Sequence, residues 1–335
     1  MRFGLLGAGR IGQVHADAIA TVPGAQLAAV ADPMHEAAVA VAKAHGCDIR
    51  DIDTIARSDD IDAVIICTPT DTHADLIEQF ARAGKAMFCE KPIDLSLSRV
   101  RDCLRVVEDL GAKLMVGFNR RFDPDFRAVR AEIDAGRVGA VEMVTIISRD
   151  PGAPPAEYIA RSGGIFRDMT IHDFDVARWL LGEEIDTVMA SGSVLVDPAI
   201  GDLGDYDSAN LILRTASGKQ AIISNSRRAA YGYDQRIEVL GAAGMVAARN
   251  THETNIETAG TEGFGRPPLL NFFMTRYAAA YANEISEFVA AVSTGEPMPT
   301  TGHDGLVALA LADAAVLSAA EGRAVRVADI MAGTT

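Results

Sequence analysis

Gly7-Ala8-Gly9-Arg10-Ile11-Gly12 follows a short apolar run, Arg2–Leu6, and leads straight into a helical pattern over Ile11–Ala20. A lone G-x-G-x-x-G is a weak signal, since any glycine-rich turn can produce one. Here it sits between a strand and a helix, and a carboxylate, Asp32, lies twenty residues past Gly12 at the end of the second strand. Each part has a physical task. Gly7 permits the tight turn, Gly9 lets backbone approach a pyrophosphate, and Gly12 lets helix and strand pack closely. The helix start then offers free N–H groups and partial positive charge to the phosphates. Asp32 would accept hydrogen bonds from ribose hydroxyls and repel a 2′-phosphate, so the pattern predicts NAD rather than NADP. The bland alternative is a strand–helix turn with no ligand and Asp32 as a loop residue.

The rest of the first third repeats this alternation. Apolar runs at Gln26–Ala31, Ala63–Cys67, Ala86–Cys89 and Lys113–Val116 are separated by helical patterns at Glu36–Ala44, Thr72–Ala83 and Leu97–Leu110. Strands alternating with helices of this length predict βαβ units, hence α/β architecture with a doubly wound parallel sheet. From about residue 119 the pattern changes. A helix at Asp125–Ala135, a strand at Val141–Ser148, a Pro/Gly-rich loop at Pro151–Gly164 and a helix at Thr170–Leu181 lead into successive strands. Those strands, Thr187–Val196, Ser208–Thr215, Gln220–Asn225, Arg236–Leu240 and Met245–Ala248, predict an α+β domain with a largely antiparallel open sheet. The expected division is 1–118 and 119–335, with the closing helices near Tyr281–Val292 and Gly305–Ala319 free to pack back on the first domain.

Composition excludes several function classes. The 335 residues carry 31 Lys+Arg against 46 Asp+Glu, a net charge of −15, and the densest basic spots are the pairs Arg120-Arg121 and Arg227-Arg228. Such a chain is repelled by nucleic acid and by anionic membranes. The four cysteines show no metal-type spacing, and Cys67 and Cys89 end apolar runs as small buried hydrophobes would. With no leader-like segment and no long uninterrupted apolar stretch, the expectation is a soluble cytoplasmic protein.

The motifs together resemble a known family. The glycine loop with His15 three residues on, Thr68-Pro69-Thr70 with His73, Glu90-Lys91-Pro92, Gly117-Phe118-Asn119-Arg120-Arg121-Phe122-Asp123, and Gly163 through Asp175 with Asp168 and His172 are similar to the glucose-fructose oxidoreductase/inositol dehydrogenase/rhizopine-catabolism family. The resemblance spans essentially the whole chain. It implies that Gly7, Gly9, Arg10, Ile11, Gly12, Asp32, Thr68, Pro69, His73, Glu90 and Lys91 bind NAD. It further implies that Lys91, Asp168 and His172 are catalytic, and that Arg121, Asp175 and Tyr231 join them around a polyol. His172 would take the proton of a secondary hydroxyl while its carbon gives up hydride, Asp168 would orient His172, and Lys91 would hold the reacting oxygen. The implied reaction is oxidation of myo-inositol to the 2-keto product, with scyllo-inositol or an aldose as alternative substrate and a noncatalytic NAD-responsive regulator as the rival class. A homotetramer is also implied; from the residues themselves follows only that an open sheet face needs covering.

Each of these residues has a plainer reading as well. Lys91, just past a strand's carboxyl end, could be a surface lysine paired with Glu90. Asp168 could cap a helix, and Thr170 with Asp173 has the spacing of a capping box. Asp175 could pair with Arg178, Arg121 could be solvated, and Tyr231 and Tyr233 could be packed tyrosines. His15 reads as a packing or supporting residue. His35, His45, His252 and His303 share no ligand spacing, so no metal is expected.

Overall fold

A computed structural model describes residues 1–333. The chain divides into two compact units, one of Met1–Phe122 with Ala278–Leu309 and the other of Asp123–Tyr277 with Ala310 onward.

The first unit opens with β1 (Arg2–Leu6), α1 (Arg10–Thr21), β2 (Gln26–Ala31), α2 (His35–His45), β3 (Asp48–Ile49) and α3 (Ile52–Arg57). It continues through β4 (Ala63–Ile66), α4 (His73–Arg82), β5 (Ala86–Glu90), α5 (Leu97–Asp109) and β6 (Leu114–Gly117). The strands form one parallel sheet in the order β3-β2-β1-β4-β5-β6. Strands β4, β5 and β6 are buried along their whole length, as two-faced coverage by helices requires. The order reverses beside β1, and a ligand of such a sheet binds at the carboxyl edge at that reversal.

The second unit contains α6 (Pro124–Asp134), β7 (Val141–Arg149), α7 (Ala156–Ser162), α8 (Gly164–Asp168), α9 (Thr170–Leu181), β8 (Ile185–Ser193) and α10 (Pro198–Asp202). After them come β9 (Ser208–Thr215), β10 (Gln220–Ser226), β11 (Asp234–Gly241), β12 (Gly244–Ala248), the small hairpin β13 (Thr258–Gly260) and β14 (Gly263–Gly265), and α11 (Phe273–Arg276). The chain closes with α12 (Ala278–Thr294), α13 (Gly302–Glu321), β15 (Val325–Arg326) and α14 (Val327–Ala332). Seven strands pair in the order β12-β11-β7-β10-β9-β8-β15, antiparallel except between β7 and β10. Burial alternates residue by residue along β9 and β10, and along β11 from Gln235 onward, so one face is core and the other is not.

One expectation needs correction. The segment read as loop at Pro151–Gly164 carries α7, which is too short for a helical period to show against its prolines and glycines. One helix, α13, is long and apolar enough to cross a membrane by length and composition, although Asp304 and Asp313 interrupt its apolar residues, and two-thirds of its apolar stretch is buried. Leu309 through Ala312 are fully buried, so this is the core helix of a folded chain rather than an uncovered span.

In the first unit α12 supplies part of the core. Phe288 packs against Phe3 and Phe88 at ring separations of 6.0 Å each, and Tyr281 meets the edge of His15 at 5.4 Å. Asn283 donates to the Phe122 carbonyl at 3.0 Å, and Lys113 to that of Val292 at 2.8 Å.

Candidate active site

The glycine loop joins β1 to α1. Gly7 has φ +95°, and a Cβ there would stand 2.6 Å from the Cys67 carbonyl oxygen. A Cβ on Gly12 would stand 2.0 Å from the Gly7 carbonyl oxygen, which is the close helix–strand approach the motif requires. Gly9 is different. It caps α1 without a side chain, and a Cβ built on it meets no protein atom within 4 Å. Nothing in the fold demands glycine there; a side chain would fill the cradle in front of the helix, where a pyrophosphate has to come. Arg10 and Ile11 begin the helix, Arg10 exposed. Asp32 lies across the loop after β2: one carboxylate oxygen accepts the Ala8 N–H at 2.6 Å and the other the Met34 N–H at 2.7 Å. The residues present therefore fit a dinucleotide: an open N-terminal turn and a half-buried carboxylate beside it.

The loops after β4, β5 and β6 lie at the same carboxyl edge of the sheet as the glycine loop. His73 is buried and links two of them: Nε2 lies 2.7 Å from the Thr68 carbonyl oxygen and Nδ1 2.8 Å from that of Pro92. Thr68 and Thr72 share a hydroxyl bond of 2.6 Å beside Pro69. Lys91 follows β5, its N–H donating to Glu90 Oε2 at 3.2 Å, and the Lys91–Pro92 peptide is cis. The other oxygen of Glu90 turns to His15 Nε2 at 2.7 Å. Glu90 thus has a partner in α1 and is not reserved for Lys91, and His15 acts in support of the lysine loop. Beneath them Glu284 of α12 is fully buried, Oε1 4.0 Å from His15 Nδ1. Burial, and then the charge of Glu90, push the Glu284 carboxyl well above the usual carboxylate range. Asn119 is buried in a turn after β6, and Arg121 pairs with Asp304 at 3.0 Å, both largely shielded, so Arg121 is not a solvated arginine.

In the second unit α8 ends at Asp168 and α9 begins at Thr170, with Met169 between them. Asp168 and His172 therefore do not stand on one continuous helix. The capping readings also fail: the α9 cap is Met169, which makes no side-chain bond. Thr170 donates instead to Asn225 Oδ1 at 2.7 Å, and Asn225 Nδ2 donates to Asp173 at 2.8 Å, so β10 pins the first turn of α9. Asp175 is buried further along α9, and Arg178 pairs with Glu184 at 2.6 Å.

Asp168 accepts a hydrogen bond from the Tyr158 hydroxyl at 2.7 Å on Oδ1, and Arg227 Nη1 lies 3.6 Å from Oδ2. Neither partner was singled out in the sequence. Tyr158 sits in the unrecognised α7, and Arg227 counted only as half of a basic pair. Tyr231 is half exposed; its hydroxyl donates to Asp234 at 2.5 Å and accepts from Arg149 at 3.0 Å. Burial opposes ionisation of Asp234, but bonds from Arg236, Tyr231 and Asn250 outweigh it and hold the carboxyl below its usual range. Tyr233 is buried against Phe272 and Tyr277. Lys91 belongs to the first unit, and Asp168, His172, Asp175 and Tyr231 to the second.

Known proteins bear on this arrangement. Residues 1–118 match the family model of the oxidoreductase family with the NAD-binding Rossmann fold, and residues 126–247 match the GFO/IDH/MocA C-terminal domain. The chain is 67% identical over 328 residues to inositol 2-dehydrogenase of Rhizobium meliloti (strain 1021), covering 98% of this chain and 99% of the relative. The crystal structure of a myo-inositol dehydrogenase from Corynebacterium glutamicum ATCC 13032 is similar with a TM-score of 0.94 at 43% identity, covering 97% of this chain and 98% of that one. The structure of scyllo-inositol dehydrogenase from Lactobacillus casei with bound cofactor NAD(H) and scyllo-inositol gives 0.91 at 32% identity, covering 98% and 99%. With both halves matched and the glycine loop and Asp32 in place, the chain belongs to the GFO/IDH/MocA family of oxidoreductases with an NAD-binding Rossmann fold.

Proposed function

We propose that the chain oxidises a secondary hydroxyl of a cyclic polyol, myo-inositol to its 2-keto product (scyllo-inosose). One observation carries the reading: Lys91, Asp168 and His172 are all present in a chain 67% identical, end to end, to an inositol 2-dehydrogenase. Bound NAD supplies the hydride acceptor. The protein's own groups do the rest. The N-terminal turn of α1 binds the pyrophosphate and Asp32 the ribose hydroxyls. Lys91 holds the reacting oxygen and stabilises charge as its proton leaves. His172 takes that proton, a role suited to a group whose ordinary pKa is about 6.5. Asp168 orients the imidazole and balances the charge it acquires. Arg121, Asp175 and Tyr231 are assigned to the remaining hydroxyls, which such polar groups discriminate well, because a missing hydroxyl leaves one of them unpaired.

The test is NADH formation with myo-inositol, scyllo-inositol and glucose in parallel, with NAD and then NADP. Saturable turnover with NAD and myo-inositol supports the reading. Turnover with scyllo-inositol alone would transfer it to the second substrate, which the likeness to the Lactobacillus casei enzyme favours. No turnover with any polyol would overturn it.

The reading includes self-association in the cytoplasm, with four copies as the expected number. Its support is the outer face of the large sheet. Met189, Ile212 and Ile222 stand side by side across β8, β9 and β10, and Met143, Leu240 and Met245 across β7, β11 and β12, each more than a third exposed. A patch of this kind is costly to leave in water. A light-scattering mass equal to that of one chain would overturn it.

A further inference from the structure

We propose that Tyr158 and Arg227 are positioning residues for proton removal, acting through Asp168; the inference rests on the role given to Asp168 and His172 above. The two oxygens of the Asp168 carboxylate are approached from different elements. Tyr158, in α7, donates to Oδ1 at 2.7 Å. Arg227, just past β10, presents Nη1 to Oδ2 at 3.6 Å. A carboxylate engaged at both oxygens has lost the freedom to turn about its last bond.

The surroundings of Arg227 show why it is there. The residue is 1% exposed, and a guanidinium taken so far out of water needs anionic partners. One is Asp205, whose Oδ2 lies 3.3 Å from Nη2 and whose Oδ1 accepts the Ile165 N–H at 2.9 Å, at the start of α8. The Arg227 backbone is fixed too, its N–H donating to the Asp207 carbonyl at 2.8 Å. Asp205 alone would neutralise the guanidinium. Asp168 is the second carboxylate on one cation, so the trio keeps a net negative charge. That charge is what a histidine gaining a proton requires of its neighbour. Tyr158 makes the complementary point. Its ring is half exposed, so it adds little to the core, yet its hydroxyl is spent on this carboxylate.

The experiment is a double-mutant cycle. Tyr158→Phe, Arg227→Lys and Arg227→Gln are made in the natural chain and in Asp168→Asn, with kcat, KM and NAD affinity measured for each. Tyr158→Phe is expected to lower kcat about ten-fold, the weight of one hydrogen bond to a charged group, with NAD affinity unchanged. In the Asp168→Asn background the same substitution is expected to change kcat less than two-fold. Arg227→Lys is expected to retain more activity than Arg227→Gln. Should Arg227→Gln fail to fold, the Tyr158 cycle decides alone. An undiminished loss in the Asp168→Asn background, or wild-type kcat in Tyr158→Phe, overturns the inference and leaves the polyol reading intact. Absence of polyol turnover in the natural chain, or wild-type turnover in Asp168→Asn, overturns the reading and the inference together.

Discussion

Glu90 reaches back to His15, Oε1 to Nε2 at 2.7 Å, so the residue immediately before Lys91 is held by the helix that opens the nucleotide loop. The cofactor loop and the lysine loop are thereby tied through one buried pair. Glu284 lies against that pair with its carboxyl pushed well above the usual range, by burial first and then by Glu90.

This arrangement predicts a pH dependence of stability. Folded Glu284 keeps a proton that the unfolded chain releases near its ordinary value of 4.5. The resulting stabilisation is complete below that value and is lost as pH rises towards the folded value, at up to about 1.4 kcal/mol per pH unit. Glu284→Gln, which keeps shape and removes the titration, should flatten the slope. Urea midpoints of both proteins, compared between mildly acidic and mildly alkaline pH, check this; parallel slopes would exclude Glu284 as the source.

His172→Ala should lose about 10²–10⁴-fold in kcat with myo-inositol, the ordinary weight of a general base, while NAD binding is retained. Fluorescence titration with NADH alongside turnover separates the two. Near-wild-type turnover would remove His172 from the mechanism.

Asp32→Ser should weaken NAD by about 10- to 100-fold, the worth of hydrogen bonds to a charged acceptor, and relax discrimination against NADP. The substitution also removes the carboxylate that the Ala8 and Met34 N–H groups share. Affinities for both nucleotides provide the check, and unchanged values for both would reject the assignment.

Gly12→Ala should cost stability and cofactor affinity together, because its methyl would meet the Gly7 carbonyl oxygen at 2.0 Å. Overpacking of this kind costs about 1–3 kcal/mol. Gly9→Ala has open space and should leave the melting temperature unchanged while still weakening NAD. A melting temperature lowered equally in both variants would contradict the different surroundings of the two glycines.

How far the sequence could be read depended on range. The parallel sheet was legible because Ala63–Cys67 and its counterparts are continuous apolar runs separated by helix-length intervals. The glycine loop between β1 and α1 was legible because its signature lies in consecutive residues. By contrast β3 is two exposed residues and α3 a six-residue helix started by the Asp51 side chain, too short to impose a period. The partners of the site residues were the least legible part. Nothing near them in the sequence shows that Glu90, expected at the cofactor, also bonds His15, 75 positions away, or that Arg121, expected at the polyol, pairs with Asp304, 183 positions away. Glu284 lies on a helix where an acidic residue ordinarily faces water. Only the folded chain shows that it does not.

The inclusion of Ala278–Leu309 in the first unit bears on how the protein is made. Translation delivers the sheet and its nucleotide loop early, but Phe288, which packs on Phe3 and Phe88, leaves the ribosome only after the whole of Asp123–Tyr277. The part synthesised first is thus completed only after most of the second unit has been made. While the middle of the chain is being made, the nascent sheet must carry an uncovered aromatic surface, and that interval is when a chaperone has most to protect.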